Sequence, residues 1–358
     1  MRREGHRRRD TAMRQNVEAK ADEKRDQKVT EEIVEVNDVR IRILRTLVEI
    51  EGENIWLLEV APEQEHSEEV PVLVGPGFQQ GGESFLPLMM QIASHGRRVI
   101  SFTARHGVDP TGYREDIIEE RGFPEEEYRK AAALIGVMEE IGSEYFDYVG
   151  ISDGALNGAM SATAFPERFR NMILMSPVIG PTEDTSWNML ANYLREDAAI
   201  RRRRKDPDPG DERLNKVVGR DRYVWDRADS KQKKDKRAKG EPGFHSPATW
   251  KQLEAMALGR RHDLLRGLQE QGISVVVIYG IDDKSLPSDQ YQEMLGWSSE
   301  MREHGKKGIS GVITVKGGHD LGHQYPERMG ALIDDSLRKL EQAREEDRKG
   351  AERQNADA

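Results

Sequence analysis

The sequence predicts an α/β protein, with a mostly parallel central sheet, helices on both faces, and a helical cap inserted late in the chain. Three observations carry this. From about residue 70 short β-rich runs alternate with helical ones, the order that crossover connections turn into a parallel sheet. Runs such as MILM (172–175) and VVVIY (275–279) are continuously apolar, as strands covered on both faces must be. Between about Gly180 and Leu268 the rhythm stops, and helical stretches without a convincing strand surround a strongly charged centre.

Taken in order, Met1 to about Val29 are almost all polar or charged and lack an apolar period. Such a stretch cannot bury enough surface to offset its ordering entropy, and 1–29 is expected to be a disordered tail. EEIVEV (31–36), VRIRIL (39–44) and NIWLLEV (54–60), separated by the turn signals Asn37-Asp38 and Glu51-Gly52, predict an antiparallel meander. VPVLV (70–74), a helix near 84–94, RVISF (98–102), a helix near 125–141, YFDYVGI (145–151) and a helix from about Gly154 follow. NMILMS (171–176), ISVVVIYG (273–280), a helix near 288–304, GVITV (311–315) and a last helix near 325–340 complete the pattern. The expected core is therefore 30–180 and 265–341, with the cap at 181–264. A charged tail, 342–358, has no apolar face to dock and is expected to fray.

Composition narrows the function. There are 55 basic and 65 acidic side chains, 34% of residues are charged and 36% hydrophobic, and mean hydropathy is -0.77. No window approaches the roughly 20 apolar residues of a spanning helix, and MRREGHRRRD lacks the apolar core of a secretory signal, so a cytoplasmic protein without a membrane partner is expected. The absence of cysteine excludes disulfides, thiolate metal sites and cysteine nucleophiles. The basic runs of the tail and cap are interleaved with acids, among them Asp10, Glu18, Asp206, Asp208 and Asp211. They read as solvated mixed-sign surface rather than a nucleic-acid interface.

The strongest chemical signal is Gly150-Ile151-Ser152-Asp153-Gly154, placed where a strand ends and a helix begins. A tight strand-to-helix turn of this kind projects a serine hydroxyl from the sheet and demands small neighbours, a demand that Ala155, Gly158 and Ala159 continue. A serine nucleophile needs a base, and the base an orienting acid. After ISVVVIY, the turn GIDDKSLP offers Asp282 or Asp283; after GVITV, Lys316-Gly317-Gly318-His319 offers an imidazole. Both lie at the carboxyl edge of the sheet, where functional groups of open α/β sheets gather.

With these motifs the sequence resembles the α/β-hydrolase superfamily, in its cap-bearing branch of esterases, lactonases and related enzymes, over about 31–180 and 265–341. The chain order serine, acid, histidine is that of the superfamily, and PERFRNMILMSP (166–177) and GGHDLGHQYPER (317–328) are similar to its segments. The resemblance implies Asp283 rather than Asp282 as the acid. It also implies His319 rather than His323 as the base, with Pro326 seven residues beyond His319. The family's His-Gly-X oxyanion turn is represented by Val74-Gly75-Pro76-Gly77-Phe78-Gln79, with proline where histidine is usual. Proline has no N–H, so Phe78 is the implied backbone donor, with Gln79 next, and Asp153 supplies the second N–H. SFTARHGV (101–108) is similar to another family segment but lacks its aspartate and one glycine, and is taken as structural.

The resemblance implies a serine hydrolase acting on a carboxylic ester or related small acyl compound through a Ser152–His319–Asp283 triad, without metal or organic cofactor. The same fold also supports acyltransferases, perhydrolases, lyases and non-catalytic binding proteins. The Asp153 side chain has two readings: an acid complementing the dipole of the helix it begins, or a carboxylate favouring a cationic substrate group. His262, His304 and His323 carry no motif support, and His245 is left unassigned. The cap aromatics, such as Trp187, Tyr193, Trp225 and Phe244, have two readings: lining an apolar acyl pocket or, the commoner role, packing the cap onto the core.

Overall fold

A computed structural model describes residues 29–64, 70–77, 80–103, 125–179, 191, 262–283, 285, 292, 295–296, 299 and 311–356. The expected N-terminal tail up to residue 28, nearly all of the expected cap, most of the 288–304 helix, and Phe78 and Gln79 lie outside the described residues.

The meander forms as its pattern requires. Strands β1 (Val29–Val36), β2 (Val39–Ile50) and β3 (Glu53–Pro62) pair antiparallel. The turns between them place Asn37 and Asp38 at φ 51 and 63, and Glu51 and Gly52 at φ 47 and 79. Two left-handed residues in succession give the tight hairpin whose twist matches that of the strands it joins.

The remaining strands are β4 (Val72–Gly75), β5 (Val99–Thr103), β6 (Phe146–Ile151), β7 (Phe169–Met175), β8 (Ser274–Gly280) and β9 (Gly311–Val315). Among the described residues, nine strands form one sheet in the order β1-β2-β3-β5-β4-β6-β7-β8-β9. β3 and β5 pair antiparallel; from β5 to β9 every pair is parallel. Because β5 lies on one side of β4 and β6 on the other, the connections diverge at β4, the kind of switch point beside whose carboxyl ends functional groups of open α/β sheets gather.

Helices α1 (Leu86–Ser94), α2 (Glu125–Ile141), α3 (Asp153–Ala164), α4 (His262–Glu270), α5 (Leu321–Gln324) and α6 (Pro326–Ala356) cover the sheet. The two faces divide by strand alternation. Leu73 and Tyr148 point to a core made with Ala131, Leu134, Leu156 and Leu264 of α2, α3 and α4. Val72, Val74 and Val149 point to the opposite core, with Met89, Met329 and Ile333 of α1 and α6.

The expected join between cap and core at 264/265 falls inside α4, whose Leu264, Leu265 and Leu268 form an apolar stripe that packs under the sheet. The stretch 342–358, expected to be a fraying tail, continues α6 to Ala356. Its support is electrostatic: Arg348 pairs with Glu345 at 2.8 Å and Glu352 at 3.0 Å, and Lys349 pairs with Glu345 at 3.4 Å. Arg344 also donates to the Arg170 carbonyl. Such i,i+3 and i,i+4 pairs of opposite charge favour the helical turn, and they continue a helix already anchored by Met329, Ile333, Leu337 and Leu340.

Near the amino ends of β6 and β7 lies a buried ionic clamp. Asp147, fully buried, accepts from Arg170 Nε at 2.9 Å and from Asn171 Nδ2 at 2.8 Å. Arg97 binds Asp334 at 2.7 Å and Glu341 at 3.0 Å, and stands 3.9 Å from Asp147. These bonds tie the long α6 to the sheet.

Candidate active site

At the opposite edge, β6 runs into α3 through Ser152, whose backbone adopts φ 54 and ψ -116. A non-glycine residue held there stores strain, which persists only where its surroundings over-determine it. The surroundings do so here. Ser152 N–H donates to the Met175 carbonyl at 2.9 Å, and the Ser152 carbonyl accepts from Ala155 at 3.1 Å and Val178 at 3.3 Å. A Cβ on Gly154 would stand 2.3 Å from the Gly75 carbonyl oxygen, so only glycine lets the turn after β4 lie against the elbow. Below it stands Tyr148, wholly buried, whose hydroxyl donates to the Gly154 carbonyl at 2.5 Å. Gly158 leaves room for this ring, which a Cβ there would meet at 2.0 Å. Burial, and then Asp153, push the Tyr148 hydroxyl up from its ordinary pKa, so it remains a donor at all ordinary pH values.

The other two residues arrive from separate turns. Asp283 follows β8, and its backbone N–H donates to the Gly280 carbonyl at 3.1 Å. Its Oδ1 accepts from the Ser285 N–H at 2.7 Å, which fixes the carboxylate and directs Oδ2 toward His319 Nδ1 at 2.8 Å. His319 follows β9, and its Nε2 lies 2.7 Å from Ser152 Oγ. Asp283 and His319 are largely buried, with side-chain exposures of 3% and 11%. The three side chains thus form one continuous line of contacts at hydrogen-bond distance, from Asp283 Oδ2 through the two ring nitrogens of His319 to Ser152 Oγ.

The alternatives fall away from this line. Asp282 is held in the turn by its N–H to the Gly317 carbonyl at 2.8 Å. The His323 ring packs on Phe85, with ring centroids 4.6 Å apart. Both proposed donors of the oxyanion loop, Phe78 and Gln79, lie outside the described residues, while Gly75 and Pro76 sit beside Gly154. The Asp153 backbone stands in the first turn of α3, where N–H groups have no intrahelical acceptor.

The Asp153 side chain is more constrained than a first-turn acid need be. It is buried, and its Oδ2 accepts from Lys130 of α2 at 2.8 Å. Sequence reasoning missed Lys130 and its neighbour Glu127. The available signal was position: Lys130 falls one turn before Ala133 and Leu134, on the stripe that α2 buries.

No family sequence model and no curated protein sequence matches the chain. Solved structures do. A serine hydrolase from the polyaromatic-hydrocarbon-degrading bacterium Cycloclasticus zankles superposes with a TM-score of 0.51 at 13% identity, covering 87% of this chain and 99% of that one. The thioesterase domain from the curacin biosynthetic pathway gives 0.50 at 18% identity over 81% and 99%. A meta-cleavage product hydrolase, CumD, gives 0.50 at 17% identity over 82% and 97%. The chain has the α/β-hydrolase fold. Among the described residues, no helix is long and apolar enough to cross a membrane.

Proposed function

We propose that the protein is a serine hydrolase that cleaves a carboxylic ester or related small acyl compound through an acyl-enzyme intermediate. The single observation that carries this reading is the Ser152–His319–Asp283 line, with contacts of 2.7 and 2.8 Å between groups contributed by three different turns. Ser152 Oγ attacks the acyl carbon while its proton passes to His319 Nε2. The imidazolium that forms is stabilised by Asp283, and it returns the proton to the leaving group as the carbon–leaving-group bond breaks. Water, deprotonated by the same nitrogen, attacks the acyl-enzyme and frees Ser152. The oxyanion is held by the Asp153 N–H and by Phe78, or Gln79, of the loop after β4.

The test is labelling with a fluorophosphonate. Wild type is expected to give a phosphonyl adduct on the Ser152 peptide, and Ser152→Ala, folded by circular dichroism, to give none. A folded wild type that takes no label, or an adduct that persists in Ser152→Ala, refutes the assignment.

A further inference from the structure

Directly behind the nucleophile lies a group of buried charges outside the Ser–His–Asp line. Glu127 and Lys130, one turn apart on α2, meet Asp153, the first residue of α3. Lys130 Nζ lies 2.9 Å from Glu127 Oε1 and 2.8 Å from Asp153 Oδ2. The side chains of Glu127 and Asp153 are 0% and 3% exposed. Two carboxyl groups thus face one ammonium in a place largely without solvent. Burial, and then the charge of Asp153, push the Glu127 carboxyl up to about 8. Burial works against the charge of Lys130, but Asp153 and Glu127 outweigh it and hold its pKa above the ordinary value.

The unused oxygens fit that protonation. Glu127 Oε2 and Asp153 Oδ1 are both buried, and neither accepts a hydrogen bond. A proton on Glu127 gives it a hydrogen bond to offer Asp153. That proton leaves the Lys130 ammonium facing one ionised acid fewer.

A need to pack two helices does not account for it. α2 and α3 already meet through Ala131, Leu134 and Leu156, and Ser161 Oγ donates to the Ala131 carbonyl at 3.0 Å. An apolar side chain at position 130 would extend that contact without the cost of desolvating an ion pair. The cluster is distinguished by what it holds: the side chain of the residue whose N–H faces the oxyanion in the reading above. An unpaired carboxylate one residue from the nucleophile would also oppose the negative charge that develops there.

We propose that Lys130 is a positioning residue for acyl transfer: by gripping the Asp153 carboxylate from α2, it fixes the first turn of α3 and with it the Asp153 N–H, and it neutralises the carboxylate nearest the nucleophile. This rests on the assignment of Ser152 as nucleophile, and the test separates the two.

Full-length wild type, Lys130→Met, Lys130→Arg and Ser152→Ala are compared in the rate of phosphonylation, resolved into the maximal rate and the half-saturating probe concentration, and in thermal unfolding. Loss of a whole oxyanion donor costs about 100- to 1,000-fold, so a donor left in place but loosely held should cost less. The maximal rate of Lys130→Met is expected to fall about 10- to 100-fold, with half-saturation changed by less than about threefold. Lys130→Arg, which keeps the charge, is expected to recover most of the rate. A merely structural role would lower the unfolding temperature and leave the rate per folded molecule unmoved. If Lys130→Met does not fold, Lys130→Gln, which retains polar contact without charge, is measured in its place with the same loss expected. A folded Met or Gln variant that is phosphonylated within about threefold of wild type overturns the role of Lys130 and leaves the nucleophile standing. A wild type that takes no label overturns both.

Discussion

Glu127 makes stability depend on pH in a direction opposite to that of an ordinary ion-paired carboxylate, and Glu127→Gln isolates the effect. In the folded protein burial and Asp153 push this carboxyl from its ordinary 4.5 up to about 8. In the unfolded chain it ionises at the ordinary value. Between those two pH values the folded state holds a proton that the unfolded state has lost, so the stability this group contributes is complete below about 4.5 and is lost as pH rises through about 8. Within the window the limiting slope is about 1.4 kcal/mol per pH unit, so wild type should lose on the order of 2 to 3 kcal/mol from this group between pH 5.5 and 7.5. Glutamine has the shape of the protonated acid, keeps an acceptor for Lys130 and an N–H donor for Asp153, and has no proton to release. The stability of Glu127→Gln relative to wild type should therefore rise across the window and level off above about pH 8. Urea unfolding of both proteins at half-unit pH intervals measures the difference. Two curves that stay parallel from pH 5 to 8.5 would refute the reasoning, because they would mean that Glu127 is ionised in the fold as it is in the unfolded chain.

Two further predictions address the ends of the parallel strands. Asp147→Ala removes the carboxylate shared by Arg170 and Asn171 and faced by Arg97, leaving buried donors uncompensated; a loss of about 3 to 5 kcal/mol is expected in urea unfolding. Its labelling rate per folded molecule should match wild type, since Ser152 lies past the other end of β6. Gly154→Ala places a methyl 2.3 Å from the Gly75 carbonyl, forcing the β4 turn away from the elbow. It should cost about 1 to 3 kcal/mol and slow phosphonylation at least about tenfold; a variant that labels at the wild-type rate would show that the loop approach is not required.

The fold is legible in the sequence where a local rule has one structural outcome. Asn37-Asp38 and Glu51-Gly52 demand tight hairpins, and the meander follows from them. GISDG after an apolar strand admits little besides a strained turn, and Ser152 takes it. The placement of β5 between β3 and β4 was not legible, because the pairing order of parallel strands depends on which face each connecting helix crosses, and the alternation of elements is the same either way. The extension of α6 was misread for a different reason. An apolar-period argument cannot see a helix sustained by ion pairs between charged residues, and those pairs become worth counting only when the preceding turns are already packed. Glu127 and Lys130 escaped because their partner, Asp153, is more than twenty residues away in sequence.

The arrangement separates two electrostatic tasks along one strand. At its amino end β6 carries Asp147, whose charge is matched by arginines from neighbouring elements and serves to hold α6 to the sheet. At its carboxyl end the same strand delivers Ser152, and the carboxylate that follows is matched by a lysine from α2. A strand buried on both faces gives these two ends a fixed separation and shields each from water, so each charge must be neutralised locally or its pKa must move. At Asp147 the guanidinium groups of Arg170 and Arg97 provide the match, and both also pair with Glu341 of α6. Behind the elbow one ammonium faces two carboxyl groups, and the surplus acid keeps its proton. That surplus of one acid gives Glu127→Gln its pH signature: its unfolding curve should diverge from that of wild type as pH rises through the window in which Glu127 keeps its proton only in the fold.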